Sequence, residues 1–199
     1  MLPRLKKQRD LDLKKLLIIY KDRMDLQPKD LKNDIVKLVP LQESDFEELY
    51  QCASNPEVWE QHPNKDRYKK DVFENFFKGA MESKGAFKIV EVLTDKVVGS
   101  TRFYDYNESA GVVLIGYTFY AKEYWGKGIN PIVKKMMLNY AFQYVDAVHF
   151  HIGGDNIRSQ IAIGRIGAHK VDEKLIEYYG ETEKLNFIYE IKKEDWFSL

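Results

Sequence analysis

Two glycines, Gly126 and Gly128, stand two residues apart just before a stretch with the apolar spacing of a helix. Ile129, Ile132, Val133, Met136, Met137, Tyr140, Ala141 and Tyr144 recur at the i, i+3, i+4 intervals that put them on one buried face. Pro131 fits near the start of that helix, because the first turn has no intrahelical N–H bonds to lose. Glycine lets a backbone turn tightly and come close to a ligand. The free N–H groups of the first helical turn then converge on one spot at the positive end of the helix dipole. The chemistry this arrangement offers is anion binding, well suited to a pyrophosphate, and Lys127 adds charge at its rim. On its own, a pair of glycines could equally be a plain loop. No Gly-Lys-Ser or Gly-Lys-Thr follows, so it is not the phosphate loop of a nucleotide hydrolase.

Other residue types with chemical potential are sparser. His149 and His151 alternate on a predicted strand and so face the same side. A metal pair there lacks a third ligand in the sequence, and no metal is expected. Either imidazole could instead line a substrate opening. Cys52 is the lone cysteine, so no intrachain disulfide forms; it reads as a small packed side chain on a helix.

The elements that must position these groups alternate from residue 34 onward. The sequence predicts strands at Ile35–Val39, Phe87–Leu93, Val97–Tyr106, Val112–Tyr120, Asp146–Ile152, Lys170–Tyr178 and Leu185–Ile191. Helices are predicted near Ser44–Ser54, Arg67–Ser83, Ile129–Tyr144 and Asn156–Ile166. Ser44-Asp45-Phe46-Glu47 has the form of a capping box at the first of them. Trp59, Phe73, Phe76, Phe77, Tyr104 and Tyr106 could wall a pocket or fill the core.

The run Trp125-Gly126-Lys127-Gly128-Ile129-Asn130, preceded by Ile115-Gly116-Tyr117-Thr118-Phe119-Tyr120, resembles motif A of the GNAT N-acetyltransferase superfamily. Asn156-Ile157-Arg158-Ser159, continuing to Ala162-Ile163 and Gly167-Ala168, resembles motif B of the branch containing the ribosomal-protein N-terminal-amine acetyltransferases. Val39-Pro40-Leu41 with Ser44-Asp45-Phe46, and Asn55-Pro56-Glu57-Val58-Trp59, are similar to that branch's first strand and helix and the segment after them. The resemblance spans roughly residues 34–196. It implies an α/β (α+β) GNAT fold, with a mixed, twisted seven-stranded sheet flanked by helices. Acetyl-CoA would be the co-substrate, lying in a V-shaped opening between the fourth and fifth strands. Main-chain groups of Thr118, Phe119 and Tyr120 would pair with the pantetheine arm. The loop Trp125, Gly126, Lys127, Gly128, Ile129 and Asn130 would hold the pyrophosphate. By the same resemblance, Asn156 would contact the arm near the thioester and Ser159 would give a proton to the departing thiolate. The acceptor would be an amine, either a peptide or protein N-terminus or a small molecule. Asn130 stands where the family usually has Gly or Ala, and Trp125 where it has Gln or Arg. Leu114 occupies a position that is often acidic in this branch and a candidate general base. Asp105, Glu108 and Tyr117 are the substitutes within reach in sequence. A CoA-binding module without turnover is the alternative that Leu114 suggests.

Composition bounds the rest. The 199 residues carry 31 Lys+Arg against 31 Asp+Glu, a formal net charge of zero. That balance excludes a general nucleic-acid binder, which needs a basic excess to neutralise phosphates. At 44% hydrophobic and 14% aromatic, the chain has ample material for a core. The longest apolar run, Leu16–Tyr20, is far short of a membrane span. A soluble cytoplasmic protein with no membrane partner is expected, and a homodimer is compatible with all of this. The charge is uneven: residues 1–33 hold ten Lys and Arg against five Asp. Leu13, Leu16, Leu17 and Tyr20 suit an amphipathic helix over residues 11–24. The expected organisation is a basic, helical extension at 1–33 and an acetyltransferase domain at 34–199.

Overall fold

In a computed structural model of the chain, residues 23–177 and 182–198 are described. Seven strands form one sheet: β1 (Val36–Pro40), β2 (Ala86–Glu91), β3 (Val97–Asn107), β4 (Val112–Tyr120), β5 (Ala147–Gly153), β6 (His169–Ile176) and β7 (Lys184–Lys192). Their order is β1-β2-β3-β4-β5-β7-β6. Every neighbouring pair is antiparallel except β4 and β5, which run parallel. Among the described residues five α-helices accompany the sheet: α1 (Phe46–Ala53), α2 (Lys70–Ser83), α3 (Ile129–Ala141), α4 (Ile157–Gly164) and α5 (Lys193–Trp196).

The alternation of side chains along the strands divides the apolar residues between two cores. Phe87, Val98, Phe103, Val113, Val148 and Phe150 join Val133, Met137 and Ala141 of α3. Leu49 and Ala53 of α1 and Phe73, Phe76 and Phe77 of α2 pack with Ala86, Val97 and Phe119. A sheet covered on both faces needs apolar residues at successive positions rather than every other one. This is why the first eight residues of β3 are all buried.

Local chemistry sets the ends of the elements. The helix expected at Ser44 starts two residues later, after a short 3-10 turn, and Ser44 does not cap it. The carboxylate of Asp45 instead accepts the Gln42 N–H at 2.9 Å and pairs with Lys88 Nζ at 2.9 Å. The cap thus falls to Gln42 and Asp45, and half-buried Lys88 holds the second oxygen of that carboxylate. The single helix predicted over residues 67–83 is broken at Lys69, whose extended backbone separates a 3-10 turn (Lys65–Tyr68) from α2. Helix α2 ends where Lys84 turns left-handed (φ 51°) into Gly85. A Cβ at Gly85 would lie 2.0 Å from the carbonyl oxygen of Phe103, so only glycine allows that approach.

The predicted amphipathic helix falls almost entirely on residues 1–22, outside the described ones. The segment after it packs on the domain. Met24 and Leu31 are buried in the first core, Gln27 Nε2 donates to the Ala86 carbonyl at 2.7 Å, and Leu38 N donates to Leu31 O at 2.8 Å. Among the described residues no helix is long and apolar enough to cross a membrane.

Phe103 is fully buried and stacks edge-on with Phe87, at 6.1 Å between ring centres. Phe103→Ala is expected to cost about 3–5 kcal/mol of stability. Chemical denaturation should show the midpoint falling with an unchanged slope.

Candidate active site

The site is built on a failure of strand pairing. β4 and β5 are in register only at Val112↔Ala147, Val113↔Val148 and Leu114↔His149. Beyond that the two strands part. On its other side β4 stays bonded to β3, but one residue of β3 there faces two of β4: Ser100 pairs with Phe119 and Arg102 with Gly116. Tyr117 sits at this bulge with φ 51°, a left-handed conformation costly for a non-glycine residue. The bulge sharpens the twist of β4 and carries Ile115–Tyr120 away from β5. The edge of β4 that faces the opening is therefore left without a neighbouring strand, and such an edge can bond an extended ligand as a further strand would.

The opening holds a cavity of about 560 Å³. At one end lies the glycine loop. Gly126 (φ 74°) and Gly128 (φ 75°) are both left-handed, and Gly128 is the residue from which α3 starts. A Cβ at either would meet nothing within 4 Å, so backbone conformation selects glycine here. The same open space is what an approaching ligand would occupy. No main-chain or side-chain acceptor takes the N–H groups of Gly126, Lys127 or Gly128 among the described residues. The loop is braced at both ends. Trp125 Nε1 donates to the Tyr120 carbonyl at 3.0 Å, and the Tyr120 hydroxyl donates to Asn130 Oδ1 at 3.3 Å. Arg158, from α4, lies 4.3 Å above the Trp125 ring and donates to Val58 O at 3.2 Å. Lys127 Nζ rests 4.5 Å from the centre of the Tyr124 ring.

Asn156 and Ser159 mark the other wall. Asn156 is buried and caps α4, its Oδ1 accepting the Ser159 N–H at 3.1 Å. The Ser159 side chain is half-buried, lines the cavity and has no hydrogen bond among the described residues. Thr118 and Tyr120 also line the cavity, but the Phe119 ring turns into the second core against Trp59 and Phe73. Phe119 lines the cavity as well, with its ring packed on the second core.

The far end is aromatic and cationic. Trp59, Tyr104 and Tyr117 line it together with His62 and Arg67, two residues the sequence did not single out. Arg67 is only 2% exposed, with its guanidinium 4.8 Å from the Phe76 ring centre and Nη1 within 3.2 Å of His62 Nε2. Burial and the adjacent Arg67 charge hold the His62 imidazole well below its ordinary pKa. His151 lines the cavity as well; burial and neighbouring His149 and Lys174 push it down to about 4, so it is neutral at pH 7. His149 turns instead to Glu190, with 2.9 Å between Nε2 and Oε2. The two histidines thus do not act as a pair, and no group of three metal-ligating side chains occurs among the described residues. Leu114 is buried in the paired part of β4. Asp105 and Glu108 lie at the exposed end of β3 and do not line the cavity, whereas Tyr117 does. Among the described residues no carboxylate lines it. Cys52 donates to Val97 O at 3.2 Å, and its thiol is pushed up to about 12, mainly by burial. That makes it an inert packed thiol.

The acetyltransferase (GNAT) domain family matches residues 36–169. The chain belongs to this family, and its seven-stranded mixed sheet is the GNAT fold. A search of curated proteins finds no match. Among solved structures, a probable GNAT acetyltransferase from Chromobacterium violaceum is 15% identical with a TM-score of 0.74, over 85% of this chain and 89% of that one. Spermidine N-acetyltransferase from Vibrio cholerae, in complex with CoA and spermine, is 14% identical with a TM-score of 0.63, over 83% and 99%. RimJ of Mycobacterium smegmatis, in complex with CoA-disulfide, is 16% identical with a TM-score of 0.62, over 80% and 83%.

Gly128→Glu would place a carboxylate on the glycine loop, where the expected pyrophosphate would lie. It should weaken CoA binding at least about 100-fold by calorimetry, while left-handed strain costs the fold only about 1–2 kcal/mol. Unchanged affinity would remove the loop from the binding site.

Proposed function

We propose that the chain is an N-acetyltransferase that moves an acetyl group from acetyl-CoA directly to a primary amine. One observation carries this reading: the unpaired edge of β4, Ile115–Tyr120, runs into the Gly126–Gly128 cradle. A strand-like edge that ends on an anion site suits a ligand with an extended amide-bearing arm followed by a pyrophosphate. CoA has that shape, and the related structures in complex with CoA support the choice. Thr118, Phe119 and Tyr120 would hold the arm through their main chain, and residues 125–130 the pyrophosphate. Arg158 and Lys127 would add charge at the rim.

The transfer asks little of general-base chemistry if the acceptor arrives neutral. The lining residues described here offer no carboxylate, and His151 and His62 are held neutral and weakly basic. An α-amino group, with a pKa near 7.7–8.0, is partly neutral at pH 7, whereas an alkylamine near 10.4 is almost wholly protonated. The acceptor is therefore an α-amine, of a peptide or protein N-terminus or of a small molecule carrying one. Held against the thioester carbonyl, it attacks with the advantage of proximity. Ser159, whose hydroxyl faces the cavity, relays a proton to the departing sulfur, and Asn156 fixes the turn that carries Ser159.

Two measurements test this. With acetyl-CoA and a thiol-release assay, a peptide α-amine should outpace a lysine side chain by about two orders of magnitude at pH 7, with the rate levelling off above about pH 8. CoA binding without turnover on any amine would establish the inactive binding module instead. Ser159→Ala should lower kcat about 10- to 100-fold and leave acetyl-CoA affinity within a factor of about three. Turnover equal to wild type would remove Ser159 from the proton path.

A further inference from the structure

Lys134 is a buried amine that the fold has no evident reason to keep. It sits on the inner face of α3, four residues after Asn130 and three before Met137, and is 3% exposed. Other partly buried lysines are neutralised: Lys88 reaches Asp45 at 2.9 Å and Glu48 at 3.7 Å. Lys134 pairs with no carboxylate among the described residues. Its Nζ donates to Thr118 Oγ1 at 2.6 Å and lies 5.9 Å from the centre of the Phe150 ring. Burial alone pulls the amine down to about 7. An ammonium has three donors. Thr118 takes one, and no described residue accepts the other two. A buried charge without a counter-charge costs several kcal/mol, and methionine would fill the same space without that cost.

Its position gives the charge a use. Thr118 is on β4 and Phe150 on β5, both beyond the last strand pair at Leu114↔His149, so Nζ lies on the floor of the opening. Its anchor is itself anchored: Thr118 Oγ1 is 2.8 Å from Thr101 Oγ1 and 3.3 Å from Gly116 O. Nζ is thus anchored beneath the strand edge that would carry the arm of the acyl donor.

We propose that Lys134 is a catalytic residue that hydrogen-bonds the thioester sulfur and stabilises the thiolate as it leaves. This rests on the acetyl-CoA reading above. The amine nitrogen forms a bond to the carbonyl carbon, and the carbonyl π pair moves to oxygen. When the C=O bond re-forms, the C–S bond breaks and its electron pair stays on sulfur, facing Lys134 Nζ. The amine's surplus proton passes to solvent. In its protonated form Lys134 supplies charge and a hydrogen bond to the sulfur, and Ser159 serves the later protonation of sulfur.

Calorimetric binding of CoA and of desulfo-CoA, which lacks the thiol, to the full chain at pH 6, where the Lys134 amine is protonated, tests this without any acceptor. Wild type should prefer CoA by about 10- to 100-fold, the range of a hydrogen bond to a charged group. Lys134→Met should bind desulfo-CoA as wild type does and lose the preference. Equal binding of the two ligands by wild type, which needs no variant, overturns the role of Lys134 alone. A preference that survives in Lys134→Met overturns it too. No binding of either ligand by wild type overturns the acetyl-CoA reading, and the Lys134 role with it.

Discussion

The site depends on the early parting of two parallel strands. Main-chain hydrogen-bonding groups buried without partners are costly, so a sheet normally keeps its strands paired along their full length. Here β4 and β5 keep three residue pairs and then separate, while β4 stays bonded to β3 through a bulge at Tyr117. The unpaired edge is tolerable only because it borders an opening rather than packed side chains. A segment of β4 is thereby converted from a structural strand into a receptor. The same bulge sets the directions of two neighbouring side chains, Tyr117 toward the aromatic end and Thr118 toward α3. One backbone irregularity therefore supplies the strand edge, the acceptor-side ring and the anchor for Lys134.

The sheet had to be held apart there as well as left unpaired. The floor of the opening is the N-terminal half of α3, and the loop before α3 is tied back to β4 by Trp125 and Tyr120. The far wall begins at Asn156, whose side chain caps α4 directly after β5 ends. β5 is itself secured from the other side by seven register pairs with β7. Each strand of the divergent pair is thus better bonded to its outer neighbour than to its partner.

Much of this was legible in the sequence, and for identifiable reasons. The strand segments carried β-branched and aromatic residues bounded by turns, and all seven strands appear within a few residues of their expected places. The glycine pair and the Asn156–Ser159 turn are local features, so short motifs reveal them. What stayed hidden depends on contacts between segments distant in sequence. The capping box expected at Ser44–Glu47 lies at Gln42–Asp45 instead, where Lys88, 43 positions away, holds the second oxygen of the same carboxylate. Arg67 and His62 lie in an irregular stretch whose periodicity says nothing, and only the fold brings them to Trp59 and Phe76. Lys134 left a trace that was readable in principle: a lysine on the buried face of a helix, at the i+4 position of the loop's last residue. Apolar spacing alone passes over it, because that pattern counts the hydrophobic residues and not the polar one among them.

The aromatic end shows how rings help the fold to carry buried positive charge. Arg102 is 4% exposed, lies 3.9 Å from the centre of the Tyr117 ring, and gives one Nη1 bond to the Gly79 carbonyl. Burial pulls it down to about 10, still high enough to remain charged at neutral pH. The face of an aromatic ring offers a cation partial negative charge that survives desolvation, so stacked rings can stand in for a carboxylate. Arg67 also lies over rings, 4.8 Å from the centre of Phe76 and 5.5 Å from that of Trp59. Two arginines against rings and a lysine against a hydroxyl are thus each desolvated and held in place by their neighbours.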